Sequence, residues 1–316
     1  MDKVRVYAVV GPTASGKSSL AMALAMRHGG ELICCDSMQV YRRMDIGTAK
    51  PTAEDRQLVV HHMVDIAEPT ESYSCADYVA AATEIIHDVH DRGKLPILVG
   101  GTGLYLDALL RGGQLHEGTP DPTIRQKWER YAEEHGRDAL HEVLWRVDPE
   151  TAQAVHKNNV KRVIRALEIF ETSGVPKSEL DRRTREQDSP FDAKVIALSY
   201  PDRSVLLDRI DRRVDQMMAD GLLAETEALY AEGVFAVNAT AAQAIGYKEL
   251  LGYLRGESTL EDCVAQLKTA THQYAKRQMT WFRSHSNVQW IDTLCKDRTK
   301  TFEEIVNNAE QLFSLA

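Results

Sequence analysis

Eight residues near the N-terminus, Gly11-Pro12-Thr13-Ala14-Ser15-Gly16-Lys17-Ser18, follow the spacing G-x-x-x-x-G-K-[ST]. That spacing lets consecutive backbone N–H groups and the positive end of a helix dipole converge on one phosphate group. The flanks agree with it: residues 4–10 form a short apolar run suited to a buried strand, and residues 19–25 read as a helix. Gly11, Thr13, Ala14, Ser15, Gly16, Lys17 and Ser18 are therefore expected to hold a diphosphate or triphosphate. Lys17 adds a point charge there, and the Ser18 hydroxyl is the expected ligand for Mg²⁺.

A polyphosphate site does not name a reaction. In GTPases and motor-type proteins a carboxylate ends the strand opposite the loop and holds Mg²⁺. Here the apolar run 95–99 leads instead into Gly100-Gly101-Thr102-Gly103, which carries no carboxylate. The acidic residue comes earlier, at Asp36, which ends the apolar run 31–35 and opens the segment DSMQVY.

The elements that must position these groups alternate strand and helix through the first third of the chain. Ser74 opens an N-cap pattern, residues 76–91 are helical, Gly93 stops them, and the 95–99 strand follows. This βαβ order predicts a parallel sheet with covering helices. A turn-rich stretch, 112–122, reads as a linker, and from 121 to 188 the pattern is helical with no convincing strand. A strand returns at 194–198 and helices follow. The expected architecture is an α/β core, residues 1–117 and 191–316, interrupted by a helical insertion, 118–190, that faces the phosphate site across a cleft.

Composition bounds the class. The 316 residues are 43% hydrophobic and 27% charged, as in ordinary soluble globular proteins. No apolar stretch approaches the ~20 residues of a membrane span, and no signal peptide precedes the first strand, so a cytoplasmic location is expected. The five cysteines lack a C-x-x-C pair and suit reduced thiols, with Cys34-Cys35 as strand filler.

A net charge of −9 argues against a nucleic-acid partner, but its distribution argues for one. No acidic residue lies between Asp262 and Asp292, where Lys268, Lys276, Arg277 and Arg283 stand among Tyr274, Trp281, Phe282 and Trp290. A second acid-free block, Ala152 to Leu167, carries Lys157, Lys161, Arg162 and Arg165. Helices over 159–173 and 260–283 would each bury one apolar stripe and turn a basic face outward. Such faces are either solvated surface or phosphate-backbone contacts, and two of them together favour RNA.

The series GPTASGKS, DSMQVY, VGGTGLY and AKRQMTWFR, with GTAKP and HHMVDI between, resembles the tRNA dimethylallyltransferases, also called tRNA isopentenyl transferases. The resemblance runs over essentially the whole chain. The Cys₂His₂ zinc finger of the eukaryotic members is not found in the sequence, so the likeness is to the bacterial type. It implies a P-loop kinase-like core with a helical insertion, dimethylallyl diphosphate as donor, and the tRNA anticodon stem-loop as acceptor. The acceptor atom would be the exocyclic amine of the adenosine just 3′ of the anticodon, and Mg²⁺ the cofactor. A monomer is expected.

By the same resemblance Asp36 is the general base, with capping of the following turn or ordering of Mg²⁺ as the bland alternatives. Thr102 stands beside the diphosphate, and Arg213 binds it, Arg209 being the alternative if the register shifts by a turn. Asp36, Ser37, Met38 and Gln39 would read the adenine. Arg125, Lys161, Arg162, Arg165, Gln243, Gly246, Tyr247, Lys248, Lys276, Arg277, Gln278, Trp281 and Arg283 would contact tRNA. For Tyr247, core packing and base stacking remain equally open. His61 and His62 lack a third metal ligand and read as structural or substrate-lining. The competing functions are an adenine-nucleotide isopentenyltransferase and a nucleotide kinase, both of which would use the same loop.

Overall fold

The computed structural model describes residues 3–111, 122–186, 188–293 and 300–315. Six strands form one sheet: β1 (Val4–Val10), β2 (Gly30–Cys35), β3 (His61–His62), β4 (Leu95–Gly100), β5 (Phe191–Ser199) and β6 (Val288–Asp292). Their order is β3-β2-β4-β1-β5-β6 and every pairing is parallel. β1 lies in the interior, with Tyr7 opposite Ile97 on one side and Lys194 on the other. The chain builds outward from β1 in both directions, so the carboxyl ends of β1, β2 and β4 open a crevice where the winding reverses. The strands β3 and β6 were not anticipated: β3 is two residues long, and β6 alternates buried and exposed positions too briefly to stand out.

The sheet is covered where the periodicity demands. The helix Lys17–His28 turns Leu20, Ala21, Leu24 and Ala25 onto β1 and β4, and the helix Phe302–Phe313 adds Val306, Ala309 and Phe313 to the same core. Each fully buried Leu, Ile or Phe there contributes about 1.5–3 kcal/mol. On the other side of the sheet the helix Cys75–Asp91 starts from a capping box, the Ser74 hydroxyl accepting the Asp77 N–H while Asp77 accepts that of Ser74. A second core joins Val40, Tyr41 and Met44 to Leu222, Leu229, Val234, Tyr247, Leu250 and Leu267. It fixes the segment after β2 against the C-terminal helices.

The chain divides into two compact units, Met1–Leu109 with Phe191–Ala316, and Leu110–Pro190. The expected junction at 117/118 and most of the expected linker lie outside the described residues. Within the second unit the described elements are helices: Pro122–Val147, kinked at Gly136 (φ 84°), then Pro149–Ala154, Val160–Ser173 and Lys177–Glu186. Asn159 caps Val160–Ser173 and Gly174 (φ 70°) ends it, while Val163, Ile164 and Leu167 pack on Leu140 and Leu144. Among the described residues no helix is long and apolar enough to cross a membrane.

Candidate active site

The glycine-rich turn leaves β1 through Gly11 (φ 142°) and enters the helix Lys17–His28 through Gly16, whose φ of 91° favours glycine. No side chain caps this helix and its first turn holds no acidic residue, so its leading N–H groups and dipole are left for an anion. Contacts from outside hold the turn in shape. Arg209 Nε donates to the Ala14 carbonyl at 2.9 Å, and the Tyr200 hydroxyl donates to the Ser15 carbonyl at 3.0 Å. The Thr13 N–H donates to Gln278 Oε1 at 2.9 Å. The Ser15 hydroxyl is turned inward, 2% exposed and without a partner among the described residues, while the Ser15 N–H donates to the Pro12 carbonyl at 3.3 Å.

A cavity of about 690 Å³ opens beside the turn, lined by Lys17, Ser18, Asp36, Arg213 and Tyr274 among others. Burial, aided by the Arg213 charge and opposed by that of Asp36, lowers the Lys17 ammonium to about 8. Arg213 is likewise pushed down by burial, against the stabilising pull of Asp36. Two largely buried cations facing one carboxylate leave an excess of positive charge, which suits a diphosphate. Three arginines of the helix Arg203–Ala219 reach this cavity. Arg209 is occupied by the Ala14 carbonyl and the Tyr200 ring, and Arg212 by Asp208. Among the described residues no carboxylate pairs with Arg213.

Asp36 follows β2 directly. Its Oδ1 accepts the Met38 N–H at 2.9 Å, so the carboxylate caps the next turn and also lines the cavity. Thr102 is half-buried just outside the lining, and its Oγ1 accepts the Ser37 N–H at 3.1 Å. Ser37 and Met38 lie along the cavity wall. Gln39 lies there too, but its amide is occupied: Nε2 donates to the carbonyls of Thr48 and Ala49 at 2.9 and 3.2 Å, and Oε1 accepts from Cys34 Sγ at 3.1 Å. The group expected to read an adenine edge here ties down the wall 44–50 instead.

Residues missed in the sequence complete that wall. Glu225 accepts the N–H groups of Asp45, Ile46 and Gly47 at 2.9–3.2 Å. The Tyr247 hydroxyl donates to the same carboxylate at 2.6 Å. Tyr247 is fully buried, and a Cβ on Gly47 would stand 2.5 Å from its ring. Of the two readings of Tyr247, core packing is the one observed, because a ring with no exposed face cannot stack on a base. Lys50, its side chain 2% exposed, is held by the Tyr41 carbonyl, Asp45 and Asp65 at 2.5–2.7 Å. The signal for Lys50 was the lysine before the proline of GTAKP. Nothing local marked Glu225.

Gly246 is buried with φ 106°, Gln243 is exposed at the cavity rim, and Lys248 lies 3.5 Å from Glu249. His61 lines the cavity with Nδ1 on the Val59 carbonyl, and His62 pairs with Glu31. No cluster of three His, Cys, Asp or Glu suited to a metal occurs among the described residues. The Ser18 hydroxyl and the Asp36 carboxylate are among the hard oxygen donors that line the cavity.

The helix Leu260–Arg283 is two-faced as expected, with Lys276, Arg277 and Arg283 exposed and Leu267, Ala275 and Phe282 buried. Gln278 departs from the expectation. It is 5% exposed and lines the cavity rather than the outer basic face, its amide bonded to Thr13 and to the Gly101 carbonyl. Trp281 is 37% exposed and packs its Nε1 edge over Gly103, where a Cβ would stand 2.3 Å away. In the helical unit Lys161 and Arg162 are exposed. Arg165 and Arg125 share the buried carboxylate of Glu168, at 3.2 Å and 2.6 Å.

The IPP transferase family matches residues 39–285, and the isopentenyl transferase family matches residues 4–65. The chain belongs to the IPP transferase family. A tRNA dimethylallyltransferase of Halalkalibacterium halodurans is 47% identical over 96% of each chain. Another, of Caldanaerobacter subterraneus, is 43% identical over 96% of each. Among solved structures, a full-length tRNA isopentenylpyrophosphate transferase of Bacillus halodurans superposes with a TM-score of 0.72 at 44% identity, covering 99% of this chain and 98% of that one. A eukaryotic dimethylallyltransferase acting on tRNA gives a TM-score of 0.77 at 32% identity, covering 92% of this chain and 74% of that one. The family membership makes the kinase-like sheet the frame of a transferase site.

Proposed function

We propose that this protein transfers the dimethylallyl group of dimethylallyl diphosphate to the exocyclic amine of the adenosine 3′-adjacent to the anticodon of tRNA. The observation that carries this reading is the placement of Asp36 in one cavity with Lys17, Arg213 and the open helix N-terminus. A leaving diphosphate needs the second set of groups, and a nucleophilic amine needs the first.

The carbon–oxygen bond to the diphosphate breaks as the bond from the adenine nitrogen to the allylic carbon forms. The pair of electrons of the broken bond stays on the diphosphate, whose growing charge meets Lys17, Arg213 and the backbone N–H groups of the turn. The proton of the amine passes to Asp36, whose Oδ1 is fixed by the Met38 N–H. Thr102, oriented by Ser37, stands beside the departing oxygen. Ser18 and the diphosphate oxygens form a hard donor set that fits Mg²⁺, which supplies further charge neutralisation on the leaving group. The exposed Lys161, Arg162, Lys276, Arg277 and Arg283 bind the RNA backbone, with Arg125 and Arg165 positioned by Glu168. The target base leaves the loop stack to reach the cavity. The proposed working unit is a monomer.

The test is transfer of labelled dimethylallyl from its diphosphate to an unmodified anticodon stem-loop, beside parallel reactions offering AMP as acceptor and ATP as donor. Modified stem-loop with free diphosphate supports the reading. Prenylated AMP without modified RNA would make this a nucleotide prenyltransferase, and phosphate transfer from ATP would make it a kinase.

A further inference from the structure

Gln278 joins two loops that the proposed reaction uses together. Its Oε1 accepts the Thr13 N–H of the glycine-rich turn at 2.9 Å, and its Nε2 donates to the Gly101 carbonyl at 3.0 Å. Gly101 adjoins Thr102, whose hydroxyl receives the Ser37 N–H next to Asp36. The bond to Gly101 is buried and the bond to Thr13 part-buried, with Gln278 5% exposed at the wall of the cavity. The approach is close: a Cβ on Gly101 would stand 2.1 Å from Nε2 and would displace the Gln278 amide. On either side of Gln278 along the same helix, Arg277 is exposed and Trp281, one turn on, covers Gly103.

We propose that Gln278 is a positioning residue that sets the diphosphate turn against the Gly101–Thr102 loop, so that the helix offering its basic face outward also registers the leaving-group site inside. A primary amide is suited to this because it presents one acceptor and one donor on the same rigid plane. Drawing the Thr13 N–H to Gln278 also takes that donor out of the anion site, leaving the diphosphate to the N–H groups nearer the helix. The role rests on the function proposed above.

Gln278→Met removes both hydrogen bonds at nearly constant volume. It should raise the donor KM and lower the single-turnover prenyl transfer rate, each by about tenfold, because reacting groups held loosely lose the advantage of a fixed approach. Stem-loop affinity should stay within about twofold of wild type, since the side chain is not at the surface. Gln278→Glu is the second arm. Its protonated acid has the donor and acceptor of the amide, whereas its carboxylate lacks the donor and opposes the Gly101 carbonyl. Its rate relative to wild type should therefore recover as pH falls from about 8.5 to 5.5, the range to which burial raises a carboxyl.

Unchanged donor KM and rate in Gln278→Met would overturn the proposal, as would loss of stem-loop affinity with donor kinetics intact. Should Gln278→Met fail to fold, a Gln278→Glu ratio that is flat with pH would overturn it. Calorimetric binding of inorganic pyrophosphate to wild type and variant separates this inference from the functional reading. Absence of any prenyl transfer by wild type defeats only the latter, and equal pyrophosphate affinity in Gln278→Met defeats only the former.

Discussion

Asp36 Oδ1 accepts the Met38 N–H at 2.9 Å, which fixes one oxygen of the carboxylate to the backbone; in the proposed transfer the other oxygen is the proton acceptor. Asp36→Asn can keep the capping bond through its carbonyl oxygen while placing an NH₂ group where the base should be. The loss should fall on the chemical step, by roughly a hundredfold or more, with both substrates still bound. Single-turnover transfer with saturating donor and stem-loop checks this. A near-normal rate would leave Asp36 with the turn-capping role alone.

Lys17 is expected to make donor binding pH-dependent. Burial lowers its ammonium to about 8, so above that pH the empty site increasingly holds a neutral amine. A bound diphosphate favours the charged form, and binding near pH 8 must therefore take up a proton. Calorimetry of dimethylallyl diphosphate in buffers of different ionisation heat should detect that uptake, with affinity falling as pH rises past 8. Lys17→Ala should bind weakly and lose the uptake, which controls for ionisation of the ligand itself. Equal proton uptake in the variant would assign the effect elsewhere.

The exposed cations should carry the salt dependence of RNA binding. Neutralising Lys276 with Arg277, or Lys161 with Arg162, should lower the slope of log affinity against log salt by about 0.7–0.9 for each phosphate that the variant no longer neutralises. Lys268→Gln should change the slope less, because its ammonium already pairs with Asp215 at 2.6 Å. An unchanged slope in a double variant would take that pair out of the interface.

Glu31 should make the edge of the sheet acid-sensitive. Arg92 grips its carboxylate at 2.6 and 2.8 Å and His62 adds 2.8 Å, and these bonds hold it down to about 2, Arg92 being the larger cause. A lowered folded value means stabilisation that is complete above the ordinary 4.5 and is lost as pH falls from there toward 2. The difference in unfolding free energy between wild type and Glu31→Gln should be on the order of 2 kcal/mol at pH 7 and shrink across that window. Chemical denaturation at several pH values measures it. A difference constant with pH would mean the carboxylate is not held by these charges.

What the amino-acid sequence determined alone is what local patterns encode. The glycine-rich turn, the Ser74 N-cap, and the two faces of the helix Leu260–Arg283 depend on residues a few positions apart, whose types and periodicity set the backbone directly. The placement of Asp36 after a buried strand was legible for the same reason. Tertiary structure decided where the polar side chains find partners. Gln278 and Thr13 are 265 positions apart, and Glu225 reaches Asp45 across 180. Gln39 and Tyr247 looked available for RNA because glutamine and tyrosine serve either surface or core. A polar group inside a fold must bond to whatever donor or acceptor packing brings near it, and the sequence does not record which chain segment that will be.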